Sequence, residues 1–297
     1  MESDEALAAV RLAAAVAVLA YASILDVRTR RVGNQSWIAL SGLGMILLVA
    51  QLLIDEQPLG YALIAIPILL ILADIFVELG VDDSKARYMA ILEYSAAVVI
   101  TVILALEYGS DPYFQHLLGI PVIMLFVVVL YMMDAIRGGA DAKALISLSI
   151  LFPFHPSIDS FPFVEAESLD AGIFFPFTFV VLVTAAIIVA LTPLGFFVVN
   201  SANRDFRFPQ MLLGYKADAD KIVSKHVWLM ERMKDGRHFY YAKPKREEYL
   251  QEEIRSLKAA GHNRVWVTPK IPFIVPILLG VVFCAVVGNP LLLIFNL

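Results

Sequence analysis

Six carboxylates lie in or beside apolar stretches of this 297-residue chain: Asp26, Asp74, Glu78, Glu93, Asp134 and Asp141. Ionisable groups are costly in such surroundings and are usually placed there for a reason. Asp26 closes the segment Leu12 to Leu25 just before the basic turn Arg28-Thr29-Arg30-Arg31, and Asp141 heads another apolar stretch in Gly138-Gly139-Ala140-Asp141. Two carboxylates close enough to share one proton can hydrolyse an amide. The ionised member takes a proton from the attacking water while the protonated member donates to the developing oxyanion, and the pair titrates as a unit. Gly138 and Gly139 would let an extended backbone approach Asp141 closely and would accept a positive φ. A helix starting just beyond would aim its N-terminal dipole at the carboxylate. The same residues also fit plainer roles, a turn with an N-cap at Asp141 and an interfacial helix end at Asp26, so spacing alone leaves both readings open.

The elements that must position these groups are membrane spans. Mean hydropathy is +0.76, with 60% hydrophobic and 17% charged residues, against about 25% charged in soluble domains. Eight apolar runs can be read: Leu7 to Leu25, Trp37 to Ile54, Leu59 to Val77, Tyr88 to Leu106, Leu117 to Met133, Ala142 to Phe154, Ile173 to Val199 and Ile271 to Phe295. Most have the roughly 20 residues that cross a bilayer, with Ala142 to Phe154 short for a span. Lys and Arg are retained on the cytoplasmic side. If the turn after Asp26 is cytoplasmic, alternation puts Val27 to Ser36, Glu78 to Arg87, Asp134 to Lys143 and Asn200 to Lys270 there, and these hold 22 of the 23 Lys and Arg residues, all but Arg11. Both aspartates then face the cytoplasm and both termini lie outside. The acidic start Met1-Glu2-Ser3-Asp4-Glu5 is unlike a cleaved signal's basic region.

The expected fold is an all-α polytopic membrane protein of about eight transmembrane helices with a small α+β cytoplasmic insert before the last span. Residues 1–199 would form the core carrying both aspartates, 200–270 a cytoplasmic domain and 271–297 the final span. Within the insert, Val227 to Met233 and Arg237 to Ala242 flank Lys234-Asp235-Gly236, a hairpin signal because Asp-Gly accepts the positive φ of a tight turn. Arg246 to Ala260 reads as a helix with Leu250, Ile254 and Leu257 on one stripe and Gly261 as its stop, and Arg264 to Val267 as a further strand. The single cysteine, Cys284, rules out an intrachain disulfide and a Cys-rich zinc site. The five histidines are dispersed without metal-ligand spacing. No metal or cofactor is expected, and the basic stretch Lys234 to Arg246 fits lipid headgroups or a substrate tail better than nucleic acid.

Gly138-Gly139-Ala140-Asp141-Ala142-Lys143 resembles the Gly-x-Gly-Asp-x-Lys signature of the type IV prepilin peptidase family. Ser23-Ile24-Leu25-Asp26, followed by Arg28 to Asn34, looks like that family's first-aspartate segment. Val265 to Phe273 is similar to the entry into the last span of its archaeal preflagellin (archaellin) peptidase branch. The resemblance implies a GxGD aspartic endopeptidase with Asp26 and Asp141 as the catalytic pair and Gly138, Gly139 and Ala140 forming the active-site turn. Its substrates would be preflagellin or prepilin-like precursors, cut at the cytoplasmic face of the plasma membrane to release a short basic leader. Ser23 and Lys143 are candidate supporting residues, Lys143 either steadying the ionised pair or reaching the headgroup level. Asp74 and Glu78, four apart on one helical face, are candidates for receiving the leader's basic residues. Three departures stand out: Ala140 replaces the second glycine, Val32-Gly33-Asn34 lacks the proline often found before the asparagine, and the gap between the aspartates is longer by about a pair of spans, placed among Leu59 to Leu106. Without the Cys-rich loop of bacterial members or a Gly-rich cofactor loop, N-methylation is not implied. The alternative from another class is a proton- or cation-coupled transporter using Asp74, Glu78 and Glu93, which would call for an internal repeat that the chain lacks.

Overall fold

The computed structural model describes residues 2–76, 83–164, 173–222, 226–234, 236–242 and 250–295. It is mostly helical, and its contacts divide it into two compact units, residues 1–186 with 272–297, and residues 187–271. The protein is a multi-pass membrane protein with a small β-containing insert.

The first unit contains α1 (Glu2–Thr29), α2 (Asn34–Ile54), a 3-10 turn (Leu59–Ile64) running into α3 (Ala65–Phe76), α4 (Asp83–Tyr108), α5 (Pro112–Met132) and α6 (Gly139–Leu151). Most of α7 (Phe177–Ala190) and the C-terminal helices Ile274–Val286 and Pro290–Phe295 complete it. Among the described residues six helical stretches are long and apolar enough to cross a membrane: Asp4–Thr29, Asn34–Ile54, Leu59–Phe76, Ser84–Tyr108, Pro112–Met132 and Phe177–Ala202. The other two of the eight expected runs form shorter helices. The 13 residues of α6 rise only about 20 Å, short of the roughly 30 Å hydrocarbon thickness. Pro153 accounts for its early end, since the residue before a proline is pushed out of the α region and Phe152 sits at φ −120°, ψ 77°. The last run is interrupted at Gly288, φ +107°, where the chain passes close over the Val164 carbonyl.

Although short, α6 is the most enclosed helix. Ala142 and every residue from Ala144 to Leu151 are buried, against α2 and α5 with a lesser contact to α1. The α2–α6 contact is close because Gly44 presents no side chain: a Cβ there would stand 3.0 Å from the Leu151 nitrogen. Between the same helices the Ser147 hydroxyl accepts from Ser41 (2.9 Å) and lies 2.8 Å from the Lys143 carbonyl. Arg11, the cation outside the charge segregation, is buried in α1, where its guanidinium donates to Gln51 Oε1 at 2.6 Å and to the Leu47 carbonyl at 3.2 Å. It therefore ties α1 to α2 about 22 Å along the helix from Asp26.

In the second unit α8 (Thr192–Ala202) continues the apolar stretch of α7, and the polar part follows it. β1 (Tyr215–Asp218), β5 (Arg264–Pro269) and β2 (Val227–Leu229) form an antiparallel sheet with β5 central, while β3 (Glu231–Lys234) and β4 (Arg237–Tyr240) form the hairpin. Lys234 pairs with Arg237, leaving a two-residue connection in which Gly236 takes φ +71°. The helix Leu250–Ala259 buries Ile254 and Leu257, and Gly261 follows it at φ +88°. The buried carboxylate of Glu231 accepts the Trp266 N–H at 2.7 Å and meets His238 Nε2 at 2.9 Å. Burial pushes this carboxyl's pKa up, partly offset by the Trp266 bond.

The closeness at Gly44 predicts that Gly44→Val overpacks α2 against α6 and costs about 1–3 kcal/mol. Gly42→Val, where nothing lies within 4 Å, carries the same helix-propensity change without the clash. Thermal unfolding in detergent should lower the midpoint for the first variant only.

Candidate active site

Asp26 lies in the last turn of α1 and Asp141 in the first turn of α6, and the two helices touch. The carboxylates are near enough for the charge on Asp26 to act on Asp141, and both are only partly exposed. A separation of more than a hundred residues in sequence is thus closed at one end of the bundle. The turn after Asp26 is held locally. The Thr29 hydroxyl donates to the Leu25 carbonyl at 2.8 Å and accepts the Arg31 N–H at 3.3 Å, while Arg30 adopts φ 57° with its N–H bonded to the Asp26 carbonyl at 3.0 Å.

The Gly-Gly-Ala-Asp turn works differently from the sequence expectation of positive φ. Gly138 caps α6 in an extended conformation, φ −93°, ψ 117°, and Gly139 and Ala140 already belong to the helix. Gly138 owes its place to close approach instead: a Cβ there would fall 2.1 Å from Asp141 Oδ2 and 2.8 Å from its Cγ. The carboxylate folds back onto the backbone just before its own helix, so a side chain at position 138 would require the Asp141 carboxylate to move. Asp141 is therefore the third residue of the helix and not its N-cap, in the first turn where the helix dipole favours negative charge. Gly139 is under no such constraint, since its added Cβ would meet only the Tyr131 hydroxyl at 3.6 Å, an ordinary contact. The same spacing explains why Ala140 is tolerated in the second glycine's place: helical φ and ψ suit alanine.

Lys143 bonds to the head of α2. Its ammonium donates to Asn34 Oδ1 at 2.7 Å and lies 5.5 Å from the centre of the Phe76 ring. Asn34 is the first residue of α2, so this bond joins the segment after Asp26 to the segment after Asp141. Asn34 stood in the first motif without an assigned role, and its signal was an amide at the head of an apolar run. Ser23, one turn before Asp26, is buried and its hydroxyl meets no protein partner. Asp74, near the end of α3, accepts from the Tyr94 hydroxyl of α4 at 2.6 Å. Glu78 lies outside the described residues. Among the described residues no group of three or more His, Cys, Asp or Glu is arranged to hold a metal ion.

Residues 207–289 match the model of the family described as Archaeal Peptidase A24 C-terminus Type II. This match over residues 207–289 supports the likeness to the type IV prepilin peptidase family. The matched stretch runs from the polar part of the second unit through the helix Ile274–Val286, and so lies downstream of both aspartates. No curated protein matches the chain. The match supports, in general terms, a peptidase acting on precursor proteins.

Two predictions follow from this geometry. Gly138→Ala must rotate the Asp141 side chain away, and a displacement of about 1 Å at a reacting group costs on the order of 100-fold in rate. Turnover of a precursor should fall by about that factor with an unchanged melting midpoint, while Gly139→Ala should retain turnover within a few-fold. For the Lys143–Asn34 bond, Asn34→Ala and Lys143→Met should be non-additive in thermal stability by about 1 kcal/mol, which a double-mutant cycle reads directly.

Proposed function

We propose that the protein is a membrane-embedded aspartic endopeptidase of the GxGD type in which Asp26 and Asp141 are the catalytic dyad. It removes short basic leaders from class III signal peptides of preflagellins or prepilins at the cytoplasmic membrane face of an archaeal cell. The observation that carries this reading is the packing of α1 against α6, which brings two carboxylates distant in sequence to one end of the bundle, near enough to interact. That end carries the basic turn Arg28 to Arg31 and Arg137, residues of the retained-charge side.

The chemistry requires the pair to hold one proton between them. The ionised carboxylate takes a proton from water as the oxygen attacks the scissile carbonyl, and the protonated one donates to the carbonyl oxygen, giving a neutral tetrahedral diol. Collapse of the diol returns a proton to the leaving nitrogen and breaks the C–N bond, regenerating the shared-proton state. No metal or cofactor enters any step. Gly138 keeps the Asp141 carboxyl against the backbone and free of side-chain crowding. Ser23, one turn before Asp26 and buried, is a candidate supporting residue for the pair.

Asp26→Asn and Asp141→Asn each remove one acid while preserving size. Incubated in membranes with a class III signal precursor, the unaltered protein should give the shortened product, and either variant should lose cleavage by at least about 1,000-fold at equal protein level. Full activity in either variant would rule out the dyad.

A further inference from the structure

Between α3, α4, α5 and α6 lies a cavity of about 420 Å³ that reaches Gly139 and Lys143. It therefore abuts the turn that carries Asp141. Ile75, Val128, Met132, Ala142 and Ile146 give it mainly aliphatic walls, and its carboxylate is that of Asp74. The Tyr94 hydroxyl donates to Asp74 Oδ2 at 2.6 Å, which orients the carboxylate and leaves Oδ1 as a second acceptor. The cation among its lining residues, Lys143, is engaged by Asn34 and the Phe76 ring. An apolar sleeve of this size with a carboxylate at one end suits a side chain with a long methylene stem and a positive tip, because such side chains bury the stem and keep the charge at a polar partner.

We infer that this cavity is a specificity pocket taking one Lys or Arg side chain of the polypeptide that lies across Asp26 and Asp141, with Asp74 as its selecting charge and Tyr94 as a positioning residue. The inference rests on the endopeptidase reading and deepens it. One wall of the pocket is the α3–α4 pair, within the Leu59 to Leu106 segment where the spacing of the aspartates exceeds the family pattern. The α3–α4 pair thus sets an aliphatic and acidic wall next to the turn that carries Asp141.

Affinity separates the pocket from the chemistry. The Asp26→Asn protein in nanodiscs is titrated with synthetic peptides, each an apolar helix of about 20 residues preceded by a short uncharged segment. Scanned through the positions before the helix, one residue is Arg, Met or Glu. Arg at one of those positions is expected to bind about 10-fold more tightly than Met and still more tightly than Glu. Asp74→Asn, added to the same protein, should bring all three peptides to the Met value, and Asp74→Lys should reverse the order of Arg and Glu. Tyr94→Phe should weaken the Arg peptide by a smaller factor and leave the Met peptide unchanged. Equal affinities for the three peptides at every position, or a preference for Arg that survives Asp74→Asn, would overturn the pocket. Failure of the unaltered protein to cleave any precursor would instead count against the endopeptidase reading, which binding to the Asp26→Asn form does not test.

Discussion

The close contact of α2 with α6 is the constraint on which the rest of the site depends. Inside a bilayer, helices gain little from burying apolar side chains against each other, since the lipid is equally apolar, and association relies on tight packing and interhelical hydrogen bonds. Both devices occur here on one interface. Gly44 lets α2 approach the backbone of α6, and the Ser41–Ser147 and Asn34–Lys143 bonds fix their register. Because α2 follows Asp26 by one short turn and α6 begins just ahead of Asp141, fixing those two helices fixes the chain on both sides of the candidate dyad. The segments that carry the carboxylates are thereby positioned by neighbouring helices.

The two ends of α1 are held in contrasting ways. At one end the buried Arg11 reaches across to Gln51 and the Leu47 carbonyl of α2 through its two terminal nitrogens. At the other the chain ends its helix in a locally bonded turn, with the Thr29 hydroxyl and the Arg30 N–H closing it just after Asp26. A buried cation is expensive unless its donors are met, which makes the Arg11 end a fixed point. The Asp26 end is partly open. The short α6 serves the same purpose: a helix ending at Phe152 places its N-terminal turn beside Asp26 without having to traverse the whole bilayer.

The family likeness lies in residues 207–289, downstream of both aspartates that carry the candidate chemistry. The family model covers 207–289, a stretch rich in strands and turns with identifiable residues, Gly236 and Gly261 at positive φ and the buried Glu231 bonded to the Trp266 backbone. Such positions tolerate few residue types and so leave a readable trace.

How far the sequence alone reaches follows from the same physics. The apolar runs, the segregation of Lys and Arg, the Asp-Gly hairpin, the stripe of Ile254 and Leu257 and the two aspartates at apolar ends are all local patterns, each legible within a few residues because turn geometry, helix periodicity and charge retention act locally. Sequence could not show which helices are neighbours, because a membrane helix is apolar on its lipid face and on its protein face alike and hydrophobic periodicity no longer reports direction. Only the tertiary structure therefore put α6 at the centre, turned Lys143 to Asn34 and Tyr94 to Asp74, and showed that Gly138 answers to the Asp141 carboxylate and not to a positive φ. Short-range sterics wrote the first set into the chain, while the second required helices far apart in sequence to be packed side by side.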